Sequence, residues 1–131
     1  MSEPKWLSEL SVVLLHAESL AEYGGSEGLR DSGLLQSALA RPRNLYVYEG
    51  VTEVERLSAA YGYGILRNHP FMDGNKRAAF LAIGLFLSRH GYTVEADNAE
   101  ATRVMFAAAA GELTEGDLAA WIRQHLSVIN K

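Results

Sequence analysis

Apolar positions recur at three- and four-residue steps along nearly the whole chain, the period of a helix with one buried face. Leu10, Val13, Leu14, Ala17 and Leu20 form the first such stripe, with Ser8 placed to cap its start and Gly24-Gly25 to end it. Asp31 can cap a short second helix through Leu34, Leu35, Ala38 and Leu39, which Pro42 is expected to stop. No helical stripe runs through Arg43–Gly50, so this stretch, with Tyr46 and Tyr48, reads as an ordered loop or a short hairpin-like flap. Thr52 and Glu55 have the spacing of a capping box, opening a helix through Leu57, Tyr61, Ile65 and Leu66 that ends before Pro70.

The next segment, Asn75 to Arg89, carries Ala78, Ala79, Phe80, Leu81, Ala82, Ile83, Leu85, Phe86 and Leu87, and is therefore apolar almost all round. Such a helix belongs in the middle of a fold. A second capping box at Asp97 and Glu100 begins a helix that reaches Ala110, where Gly111 stops it. Thr114 and Asp117 begin the last helix, through Leu118, Trp121, Ile122 and Leu126. Only Tyr92–Val94 looks extended, too little for a sheet. The expected architecture is all-α: residues 1–131 as one domain, six helices with one of them buried at the centre, and a flap-like loop.

Composition narrows the class. With 48% hydrophobic and 21% charged residues the chain is ordinary globular protein, not disordered or fibrous. A formal charge of −4 argues against direct nucleic-acid binding, which usually needs a basic face. The absence of cysteine excludes disulfides, thiolate nucleophiles and Cys-based metal sites, and suits a reducing cytosol. Met1-Ser2-Glu3-Pro4-Lys5-Trp6 lacks the basic start and long apolar run of a secretion signal. The longest apolar run, Ala78–Leu87, is about half of the roughly 20 residues a membrane span requires. A soluble, cytoplasmic protein is expected.

The chemistry concentrates just before the apolar helix, in Asn68-His69-Pro70-Phe71-Met72-Asp73-Gly74-Asn75-Lys76-Arg77. A helix starting near Asn75 points its unpaired N–H groups and positive dipole end at this loop, which makes an anion site. Gly74 lets an anion approach the backbone. Lys76 and Arg77 place two cations in the first turn, against the dipole, an arrangement that an anionic partner such as phosphate would reverse. His69 can accept a proton from an attacking hydroxyl at neutral pH. Asp73 beside phosphate oxygens suits Mg²⁺, which takes one or two carboxylates plus phosphate, and Asn75 offers a neutral donor to a phosphoryl oxygen. Taken singly, each residue has a plain structural reading: a turn histidine, an Asp-Gly turn, a helix cap, a solvated basic pair. Their conjunction at the mouth of a buried helix is what points to an active site.

This stretch resembles the signature H-P-F-x-[D/E]-G-N-[G/K]-R of the Fic/Doc superfamily, and in particular its death-on-curing (Doc) toxin branch, which has lysine in the eighth place. The flanks agree: Tyr23-Gly24-Gly25, Gly28 to Leu35, Ser37 to Pro42, and Phe86-Leu87 before His90-Gly91-Tyr92. The resemblance implies a Fic-type helical fold with ATP as substrate and Mg²⁺ as cofactor. It makes His69 the general base and Asp73 the magnesium ligand. It places Gly74 and Asn75 in the anion hole, sets Lys76 and Arg77 on the nucleotide's phosphates, and leaves Phe71 to pack beneath the loop. Members that transfer AMP have glycine where Lys76 stands and a second arginine where Phe80 stands. These departures favour Doc-like transfer of the γ-phosphate to a protein hydroxyl, with elongation factor Tu as the target class and translation as the process blocked. AMP transfer, or an inert nucleotide- or antitoxin-binding module, is the alternative. A partner antitoxin of the Phd type is also implied, its disordered tail folding as a helix into a groove near the site.

Elsewhere the structural readings prevail. His16 and His125 each lie in a predicted helix without a metal-spaced partner, His90 sits beside a helix-ending glycine, and Trp6 and Trp121 read as packing residues. Arg30-Asp31 is either a structural ion pair or part of the site's rim.

Overall fold

The computed structural model describes residues 3–129; Met1 and Ser2 of the N-terminal stretch, with Asn130 and Lys131, lie outside it. Six helices and two short strands follow one another as α1 (Glu9–Tyr23), α2 (Ser32–Glu49), α3 (Val54–Asn68), α4 (Asn75–Arg89), β1 (Tyr92–Val94), α5 (Asn98–Ala109), α6 (Glu115–Gln124) and β2 (Leu126–Val128). The fold is all-α, as the apolar spacing requires, and one core takes residues from every helix.

Capping marks most helix starts. The side chains of Ser8, Asp31 and Asp97 accept the backbone N–H three residues on, and Thr114 with Asp117 forms a reciprocal capping box. At α5 the box is half made, because the Glu100 carboxylate turns away to accept from the Trp121 indole N–H at 2.9 Å. At α3 the expected box is absent. Glu53, not Thr52, occupies the cap position and makes no side-chain capping bond.

The second helix corrects the expectation of a flap. α2 does not stop at Pro42 but runs through it to Glu49, closed by Gly50 in the left-handed conformation. Pro42 lies on the buried stripe Leu35, Ala38, Pro42, Leu45, so packing offsets the bond that its missing N–H forfeits. The carbonyl that loses its donor is that of Ala38, and it faces α3 at Gly64, where a Cβ would lie 3.3 Å from the oxygen.

The innermost helix is α3 rather than α4. Leu57 to Gly62 and Gly64 to Leu66 are all buried, whereas α4 leaves Phe80, Leu81 and Leu85 half-buried. Small residues let α3 take this place between its neighbours. A Cβ at Gly62 would come within 2.5 Å of Ile83 on α4, and one at Gly64 within 3.1 Å of Ala38 on α2. The last helix ends at Gln124, earlier than its apolar spacing suggests. Leu126–Val128 then pairs antiparallel with Tyr92–Val94, giving a two-stranded sheet where none was expected.

In α1 the buried residues are Val12, His16, Ser19 and Leu20, while Leu10 and Leu14 face outward. The inward face is thus rotated from the apolar stripe, and it carries a histidine. Trp6 packs against Tyr46 and Phe86, consistent with a packing role. No helix among the described residues is long and apolar enough to cross a membrane.

Candidate active site

The loop between α3 and α4 is built around a reversal at His69. His69 is the one non-glycine residue with positive φ among the described residues (φ 54°, ψ 54°), and it terminates α3 by donating its N–H to the Ile65 carbonyl. Pro70 disfavours the right-handed helical conformation in the residue before it, so the chain must leave the helix here. Arg30 locks the turn: its guanidinium donates to the carbonyls of His69 (2.7 Å) and Asn68 (2.8 Å), which the end of α3 leaves free. A short antiparallel contact between Leu29 and Phe71 adds backbone bonds from Arg30 and Asp31 to the Pro70 carbonyl and from Met72 to the Gly28 carbonyl. Arg30 and Asp31 are therefore structural, but not as an ion pair; Asp31 caps α2 instead.

Asn75 organises the inside of the loop. Its side chain is buried, 3% exposed; Oδ1 accepts the Phe71 N–H at 3.0 Å and Nδ2 donates to the Phe71 carbonyl at 3.0 Å and to His69 Nδ1 at 3.1 Å. Both amide donors are engaged, so the side chain does not offer itself to a phosphoryl oxygen, contrary to the sequence expectation. Phe71 fixes which way the amide points. The network therefore assigns His69 Nδ1 as an acceptor, and in the neutral ring the proton resides on Nε2. His69 itself is exposed.

Asp73 is exposed and tied to backbone donors. Oδ1 accepts the Gly74 N–H at 2.8 Å and Oδ2 the Ser26 N–H at 3.4 Å. These bonds, Gly74's first, hold its carboxyl below the ordinary aspartate range and keep it anionic. Gly25, at φ +125°, lets the neighbouring loop come this close; a Cβ there would sit 3.0 Å from Asp73 Oδ2. Each carboxylate oxygen retains lone-pair capacity, so the donor set fits a magnesium ion that completes its shell with phosphate and water. Among the described residues no group of three or more acidic or histidine side chains could hold a metal alone.

The first turn of α4 faces a groove of about 730 Å³ between α1, α4 and α5, a volume suited to a small molecule. His69, Asp73, Gly74, Asn75, Lys76 and Arg77 all border it, so the loop brings every expected site residue together. The first helical bond is Ala78 N–H to the Gly74 carbonyl, so the N–H groups of Asn75, Lys76 and Arg77, three residues that border the groove, have no partner within the helix. Lys76 lies over the Phe106 ring (4.6 Å to the centroid) and Arg77 over that of Tyr23 (4.4 Å), with a bond to the Ser19 hydroxyl at 3.4 Å. The two cations thus lean on opposite walls with the helix terminus between them.

His16, which the sequence marks only as a helix residue without a metal-spaced partner, lies under the loop. It stacks on Phe71 (3.8 Å between centroids, 11° between planes), and Nε2 bonds the Asp73 carbonyl at 2.7 Å. Its only sequence signal is a polar residue four before Leu20, on the face that turns inward. His90 and His125 keep structural roles, bonded to Phe86 and Trp121 carbonyls.

The structure is thus a helical fold in which the N-terminus of α4, with a histidine, an aspartate and two cations, opens on a groove of small-molecule size. Residues 6–87 match the Fic/DOC family, and the chain belongs to it. It is 32% identical over 118 residues to the protein kinase doc of Escherichia phage P1, covering 90% of this chain and 93% of that protein. It is 39% identical over 85 residues to the toxin Doc of Mycolicibacterium smegmatis, covering 64% of this chain and 65% of that one.

Proposed function

We propose that this protein is a Doc-type toxin that transfers the γ-phosphate of ATP to a hydroxyl of a cytoplasmic protein. The kinase name of the phage relative supports phosphoryl transfer, and the toxin name of the mycobacterial relative supports the biological role and an antitoxin partner. The observation that carries the choice of reaction is the pair Lys76 and Phe80. One helical turn apart, they border the groove with a flexible cation and an aromatic ring, where AMP-transferring relatives have glycine and arginine. The lysine fills space an α-phosphate would need against the backbone, and the ring supplies no charge for a polyphosphate. Elongation factor Tu as the acceptor, and a Phd-like antitoxin, follow from the family resemblance.

In this reading the α4 terminus binds the transferred phosphoryl group through backbone N–H groups, and Lys76 and Arg77 leave their aromatic walls to neutralise it. Asp73 would hold Mg²⁺, which supplies charge neutralisation on the phosphates when bound. His69 adjoins the acceptor hydroxyl. To take its proton at Nε2 the ring must carry its own proton on Nδ1, which sets two donors against each other at the Asn75 contact and costs about 1–3 kcal/mol. Such a cost is tolerable in phosphoryl transfer, where bond formation to the nucleophile lags and proton removal comes late. The intact His69 and Asp73 count against an inert binding module, which needs neither. ATP labelled at the α- or the γ-phosphate, incubated with the protein and bacterial extract, tests the assignment: the γ label alone should reach protein. Transfer of the α label would replace it with nucleotidyl transfer.

A further inference from the structure

We propose that His16 is a positioning residue that holds the Asp73–Gly74 peptide in the one orientation compatible with an anion at the α4 terminus. The peptide is gripped at both ends. Its carbonyl accepts from His16 Nε2 at 2.7 Å, and its N–H donates to Asp73 Oδ1 at 2.8 Å. Gly74 has φ +75°, and glycine populates positive and negative φ with similar ease. A flip of this peptide changes chiefly ψ of Asp73 and φ of Gly74, so the local backbone resists it little. Flipped, the peptide would turn its carbonyl oxygen to the side its N–H now occupies, against the Asp73 carboxylate beside the α4 terminus, and so add a negative dipole end where an anion would bind.

His16 is built for this restraint. It is 3% exposed, held flat against the buried Phe71 ring, and its Nε2 lies 3.5 Å from where a Gly74 Cβ would be. The ring therefore cannot follow a flipped carbonyl outward. Donation to a carbonyl requires Nε2–H, a proton that both the neutral tautomer used here and the imidazolium carry, so the restraint does not depend on ring charge. The Asp73 side chain cannot substitute, since its oxygens are acceptors.

The proposal rests on the phosphate-binding part of the reading above, and the decisive comparison needs no turnover. His16→Phe keeps the stack on Phe71 and loses the donor; His16→Gln keeps a donor amide of similar reach. Dissociation constants for MgATP, and separately for inorganic phosphate, are measured by amide shifts of Gly74, Asn75 and Lys76, with Gly74 φ read from its three-bond couplings. His16→Phe should bind both ligands at least about tenfold more weakly and show a second Gly74 conformation, whereas His16→Gln should stay within about threefold of the parent. In transfer assays the loss should fall mainly on KM for ATP. His16→Leu, also without a donor, serves the same comparison if the phenylalanine variant does not fold. Parental affinity and a single Gly74 conformation in the donorless variant would overturn the proposal, as would equal weakening by glutamine and phenylalanine. A parent protein that binds these ligands yet transfers no phosphate would remove the kinase reading while the binding comparison still decides this one.

Discussion

Asn75→Ala separates the loop's architecture from its chemistry. The amide satisfies both polar groups of the Phe71 backbone and one nitrogen of His69. Removing it leaves the Phe71 N–H and C=O without partners beside a ring that is 1% exposed. Each buried unpaired group costs about 1–3 kcal/mol. The loop borders the groove, and the space an alanine leaves lets water reach the freed groups in part, so a total of about 2–3 kcal/mol is expected from the lower part of that range. With an unfolding entropy of about 2.1 cal/mol/K per residue, a 131-residue chain loses about 3–4 °C per kcal/mol, so Tm should fall by about 7–11 °C. Differential scanning calorimetry measures this directly. Asn75→Asp gives a sharper comparison, because it keeps an acceptor for the Phe71 N–H but opposes a charged oxygen to the Phe71 carbonyl, and it favours Nδ1–H on His69. An unchanged Tm for Asn75→Ala would refute the reasoning, since it would mean that water alone satisfies the loop.

His69→Ala should lower phosphate transfer by about 10²–10⁴-fold while Tm falls by no more than the roughly 3–4 °C that about 1 kcal/mol for the lost Asn75 bond implies; full activity in the folded variant would remove it from the mechanism. In the resting protein, long-range ¹⁵N shifts should show His69 protonated on Nε2, and a dominant Nδ1–H form would mean that the Asn75 contact is not as described. Asp73, whose carboxyl is lowered by the Gly74 and Ser26 N–H groups, contributes loop stability above its unfolded pKa and loses it as pH falls through the folded one. Its NMR titration midpoint should lie below the ordinary aspartate value, with the Ser26 and Gly74 amides moving in step; a midpoint at or above that value contradicts the bonding. Gly62→Ala gains about 1 kcal/mol of helix propensity but forces a Cβ to 2.5 Å from Ile83, and overpacking costs about 1–3 kcal/mol. Tm should therefore fall, and a rise would show that Ile83 has room to turn.

Much of the fold follows from periodicity and caps, and its departures have identifiable causes. Pro42 reads as a stop because an isolated helix loses a bond there, yet Leu35, Ala38, Pro42 and Leu45 form one stripe whose burial outweighs that bond. α3 does not stand out as the inner helix in a hydrophobicity pattern because Ser58, Gly62 and Gly64 look polar or weak there. In the structure the smallness of Gly62 and Gly64 is what admits α4 and α2 to close range. The β1–β2 pair was invisible because Leu126 continues the spacing of α6, and strand pairing between segments more than thirty residues apart leaves no local trace.

The site was legible for a different reason: its charged and glycine residues are contiguous, and contiguity is what a motif records. Those residues delimit a helix terminus and a groove, but they do not hold themselves in place. The side chains that do come from elsewhere in the chain: Arg30 on the carbonyls that end α3, and His16 on the carbonyl of Asp73. The Ser26 amide adds a third hold, on the Asp73 carboxylate. Within the motif, Asn75 has the chemistry of a ligand and the surroundings of a strut, and only its bonds to Phe71 distinguish the two. A phosphate-binding backbone must stay rigid while remaining open to the ligand. Its restraints therefore come from residues that do not line the groove, His16 on α1 and Ser26 and Arg30 in the 24–31 loop, all distant in sequence.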